Sequence, residues 1–97
     1  MNDSQHEWND SHADFFKAEL ALCFTFVQVA ETDFRIGHLK FADAAMSNAH
    51  EGLATAQRLL SDPKHSKHLT DENIQEITTE LDRLRARIDE ARQRFGK

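Results

Sequence analysis

The sequence predicts an all-α fold, an up-down-up antiparallel three-helix bundle with helices over about residues 11–36, 39–61 and 70–95. Three observations carry this. Apolar residues recur at steps of three and four through most of the chain, the period of a helix with one buried face. Breakers are scarce in 97 residues, with one proline, Pro63, and three glycines, Gly37, Gly52 and Gly96. Tyrosine is absent and valine and isoleucine are few, which is poor material for a sheet. Residues 1–10 read as a polar N-terminal tail, or an extra first turn, carrying a lone Trp8, and residues 11–97 as a single domain. A domain this small buries a modest core, so its stability depends on close helix packing or on association.

The first helix is expected to start at Ser11, whose short side chain suits an N-cap, with Asp14 in the first turn favoured by the helix dipole. Phe16, Leu20, Cys23, Val27, Ala30 and Phe34 draw one apolar stripe. Phe15, Leu22, Phe26, Val29 and Ile36 widen it beyond half the circumference, more than one neighbour can cover. Gly37 ends this helix, since glycine enters the left-handed region without a Cβ clash. The second helix resumes almost at once, so the two are expected to lie antiparallel.

Leu39, Ala42, Met46, Ala49, Leu53, Ala56 and Leu60 form the second stripe. Its alanines permit close approach to the bulky first helix, small against large. Gly52, inside this helix, costs about 1 kcal/mol relative to alanine, and close packing is a reason to keep it. Residues 61–69 read as a linker, because Pro63 cannot continue a helix and biases Asp62 away from helical angles. Thr70 then caps a third helix with Asp71 and Glu72 in its first turn. Its seam is narrow: Ile74, Ile77, Leu81, Leu84, Ile88, Ala91 and Phe95. The remainder is charged, with Glu76 and Glu80 early and Arg83, Arg85, Arg87, Arg92 and Arg94 late, matching the dipole. Glu80–Arg83, Asp82–Arg85, Asp89–Arg92 and Glu90–Arg94 are spaced to pair along the helix.

The segment around Gly37 resembles a tetratricopeptide-type helical hairpin. Phe26, Val29, Ala30, Gly37, Ala42, Met46 and Ala49 fall where that motif has its large, apolar, small and turn residues. Asp33 stands where the motif has an aromatic, Phe34 comes one residue later, and no proline closes the repeat. With a third long helix, residues 15–95 are similar to the microtubule-interacting-and-transport type of three-helix module. That resemblance implies protein recognition, with a partner helix or peptide in a groove between two helices. No ligand-reading motif of that family is present, so no binding residue carries over.

The charge balance argues on its own terms. A net charge of −5 repels a phosphate backbone, which speaks against nucleic acid. No apolar run reaches the length of a membrane span. The start of the chain has no basic region followed by an apolar one, so it does not read as a signal peptide, and the initiator methionine and polar ends read as a whole protein. One cysteine, Cys23, fits a reducing compartment, and the cytoplasm is the expected location.

No catalytic or cofactor constellation emerges. Cys23 sits in the apolar stripe and reads as a buried structural thiol. His65 and His68 are flanked by Lys64 and Lys67, which disfavour a dication, so the expected site carries no metal. His38 is placed to donate to a terminal carbonyl of the first helix. There is no phosphate-binding glycine loop and no Ser/His/Asp arrangement, so no enzyme is expected. The expected function is a non-catalytic helical interaction module whose partner is a protein helix or peptide. A homodimer is the alternative, through the third helix's seam or the outer phenylalanines Phe15, Phe24 and Phe41, and a metal- or ligand-binding bundle is the third reading. The candidate interaction surface is Phe15, Leu22, Phe26 and Val29, with the arginines Arg83, Arg87 and Arg94 as a patch for an acidic protein.

Overall fold

The computed structural model describes residues 3–96, with side chains from His12 to Gly96. Among the described residues it is all-helical, with four helices and no strand: α1 (Asp3–Arg35), α2 (Leu39–Ser61), α3 (Pro63–Ser66) and α4 (Asp71–Phe95). The molecule is a rod about 55 Å long and 17–19 Å across.

Two boundaries differ from expectation. Helix α1 begins at Asp3 and not at about residue 11, so Ser11 is an interior position. No glycine or proline between Asp3 and Ser11 stops the helix from running back. The Ser11 and Trp8 side chains lie outside the described residues. The second difference is α3, a single helical turn within the expected linker, which makes four helices instead of three. Asp62 sits at ψ 120°, as the following proline demands, and its Oδ1 accepts from the Lys64 amide at 3.0 Å. Pro63 takes the first helical position, where its missing N–H is no loss.

The other element ends follow the sequence. At φ +89°, Gly37 closes α1. The His38 amide donates to the Asp33 carbonyl at 2.7 Å and the Gly37 amide to that of Phe34 at 3.2 Å, which satisfies two orphan carbonyls. Helix α2 spans the expected residues. Thr70 caps α4, its Oγ1 accepting from the Asn73 amide at 3.0 Å.

One core joins the three long helices. It joins Phe16, Leu20, Cys23, Val27 and Ala30 of α1 to Ala45, Met46, Ala49, Leu53 and Ala56 of α2 and Ile77, Leu81, Leu84, Ile88 and Ala91 of α4. Leu69, read as linker, is buried in it. Leu39, read as part of the α2 stripe, is instead exposed, because it lies at the first residue of α2, beside the turn. Helices α1 and α2 pack most closely. A Cβ placed on Gly52 would stand 2.3 Å from the Cys23 Sγ, so close packing explains the glycine. Helix α4 runs beside α1 from Lys17, which meets Glu76 at 3.3 Å, to Phe34, which stacks on Phe95 at 4.4 Å.

Candidate functional site

A groove of about 860 Å³ opens between α1 and α4. Its α1 wall is Lys17, Leu20, Ala21 and Phe24, one turn apart in pairs, and its α4 wall is Glu72, Gln75, Glu76, Ile77, Thr79 and Glu80. The two walls follow from helical spacing. Leu20 and Ile77 are buried at the floor, and Phe24 is half-buried above them. Residues 72, 76 and 80 repeat every four positions, so their carboxylates line one rim. Lys17 reaches across to Glu76, and Arg83 donates to Glu80 at 3.2 Å at the far end of that rim. An apolar floor beneath an acidic rim suits the apolar face and basic flank of an amphipathic segment.

The sequence-derived surface lies elsewhere on α1. Phe15, Leu22 and Val29 are 44–51% exposed, and Ile36 continues the series at 58%. Phe26 is half-buried against the core. Thus the surplus of the first helix is covered at Phe26 and left open at Phe15, Leu22 and Val29. Phe15, Gly52 and Ala56 also border a shallow dimple on the α2 side. Of the outer phenylalanines, Phe24 turns into the groove, while Phe41 is exposed with its ring edge-on to His38.

The arginines form ion pairs with the chain's own carboxylates. Arg87 donates to Glu31 Oε1 at 2.6 Å, and Arg94 donates to Glu31 Oε2 at 2.9 Å and to Glu90 at 2.6 Å. Glu31 is half-buried and fastens the C-terminal halves of α1 and α4 together. The sequence shows Glu80–Arg83 and Glu90–Arg94, both of which form, but not Glu31, whose partners lie 56 and 63 residues away.

Cys23 is buried, and burial together with the nearby Glu19 carboxylate pushes its thiol up, away from the thiolate. His68 is pushed below the ordinary imidazole range by partial desolvation and by His12, Lys67 and His65, and its ring lies 4.6 Å from that of His12. The side chain of His38 faces Asp33, with Nδ1 to Oδ1 at 3.9 Å, while its backbone amide serves the carbonyl of the turn. Among the described residues, no three His, Cys, Asp or Glu side chains gather as a metal site, and no helix is long and apolar enough to cross a membrane.

The groove was not evident from sequence. Leu20 and Ile77 read as ordinary core, Phe24 as an outer residue, and the glutamates as partners of the helix dipole. The available signal was Phe24 with Lys17 and Ala21, at steps of seven and three on one flank of α1, facing a carboxylate every fourth residue of α4. Comparison with protein-family models, curated proteins and solved structures finds no match to this chain.

Proposed function

We propose that this chain is a non-catalytic protein-interaction module, whose α1–α4 groove receives a basic amphipathic helix or peptide of another protein. In this reading α1, α2 and α4 form an up-down-up bundle and α3 is a capped turn within the second connection. The observation that carries it is the groove itself, apolar at Leu20, Phe24 and Ile77 and rimmed by Glu72, Glu76 and Glu80. The likeness of the Gly37 hairpin to tetratricopeptide-type and microtubule-interacting-and-transport modules supports the same mode, a helix laid between two helices. Nucleic acid and membrane are not partners in this reading, and its expected location is the cytoplasm.

The test uses a fluorescein-labelled amphipathic peptide of leucine and lysine as probe, read by anisotropy. Wild type is expected to bind it, with affinity falling as salt rises. Thr79→Trp, which fills the groove from an exposed position, is expected to abolish binding, and Glu72→Lys with Glu76→Lys to weaken it at least tenfold. Binding that all three substitutions leave unchanged would overturn the reading.

A further inference from the structure

Large exposed apolar residues of α1 fall at a strict interval. Phe15, Leu22 and Val29 are each seven residues apart, Ile36 in the turn just past the helix continues the series, and Ala18, Thr25 and Thr32, all exposed, lie three residues after the first three of them. This is the a and d pattern of a coiled-coil seam, written on the outside of a helix whose other faces are already occupied. From Leu20 to Ala30 this helix carries no charge, in a chain that is 30% charged. The strip is separate from the groove, which opens between Ala21 or Phe24 and α4.

Charges flank the strip at its two ends. Asp14 and Arg35 are both exposed and lie 21 residues apart, three heptads, and therefore on the same flank. Two copies packed antiparallel along this strip set Asp14 of each opposite Arg35 of the other, two attractive pairs. Two copies packed parallel set Asp14 of each beside Glu19 of the other, two repulsive pairs. Opposed helix dipoles favour the antiparallel arrangement as well. The large seam residues then alternate with the small ones of the facing copy, Leu22 over Thr25 and Val29 over Ala18.

We infer that this face binds a second copy of the chain, α1 against α1 and antiparallel, leaving both α1–α4 grooves open. The assembly is a two-fold dimer with the same patch on each partner. Wild type is expected to show a concentration-dependent monomer–dimer equilibrium in analytical ultracentrifugation. Leu22→Glu and, separately, Val29→Glu are expected to leave only monomer with unchanged helical circular dichroism, since both positions are exposed. Arg35→Asp is expected to weaken pairing about fivefold, the scale of two exposed ion pairs turned repulsive. Asp14→Arg is expected to weaken it likewise, and the two combined to restore it.

A strict monomer at high micromolar concentration overturns the inference, as does a dimer indifferent to Leu22→Glu and Val29→Glu. A dimer strengthened by Asp14→Arg, which would then meet Glu19, overturns the antiparallel orientation. Peptide binding in the groove is read independently of all these outcomes, because none of the four positions lines it.

Discussion

The two sides of α1 are built differently. Toward α2 the contact is dry and close, because glycine and alanine on one helix admit the cysteine and phenylalanines of the other, down to Gly52 against Cys23. Toward α4 the same helix meets leucines, isoleucines and long charged side chains, and the pair stands open enough to hold a groove of about 860 Å³. The difference teaches that residue size sets how closely helices pack, and that a recess opens where the facing side chains are long and charged.

The comparison can be broken first at its shared core. Leu84, fully buried on α4, is expected to lose about 3 kcal/mol on substitution by alanine, measured by urea unfolding. On the close side, Gly52→Ala gains helix propensity but drives a methyl into the Cys23 sulfur, for a net loss of about 1–2 kcal/mol. Adding Cys23→Ala should recover most of what Gly52→Ala alone loses, and a double-mutant cycle measures that coupling. Additive losses would show that the α1–α2 contact is looser than described. On the open side, Glu31→Gln weakens the pairs to Arg87 and Arg94 and is expected to cost about 1 kcal/mol, because both arginines are partly solvated.

The smallest effects are those of pH, and they run in opposite directions. The Cys23 thiol, raised in the fold, contributes stability that is full below about pH 8.5 and lost as pH rises further. His68, lowered in the fold, contributes stability that is full above about pH 6.5 and lost as pH falls. Thermal melts from pH 5 to 10 should therefore fall off at both ends. Cys23→Ala should flatten the alkaline limb, and His68→Gln the acid one.

Much of the helical framework is legible in the sequence, for definite reasons. Gly37 and Pro63 bracket α2, and an unbroken three- and four-residue rhythm fills the space between them, so its limits coincide with those observed. Thr70 marks the start of α4 in the same way. The beginning of α1 is not marked. Ser11 looks like a cap, yet nothing before it stops the helix, and a good capping residue is tolerated inside. Asp62-Pro63 reads as an end to α2, but the same pair also begins a helical turn.

The surplus of α1 is visible from its periodicity, and Phe15, Leu22 and Val29 are indeed exposed. The groove is not visible, because periodicity tells which residues face a neighbour but not how far away that neighbour stands. For the same reason the role of Glu31 is not legible in the sequence, since it depends on a tertiary contact with Arg87 and Arg94.

The central claim is that the open side of α1 is where a partner helix lies. Its most direct test is a methyl and aromatic NMR titration of the wild-type protein with the leucine–lysine peptide. Shifts concentrated at Leu20, Phe24 and Ile77, and small at Phe15 and Val29, are the predicted result. Shifts confined to the outer face of α1, or none at a saturating peptide concentration, would contradict it.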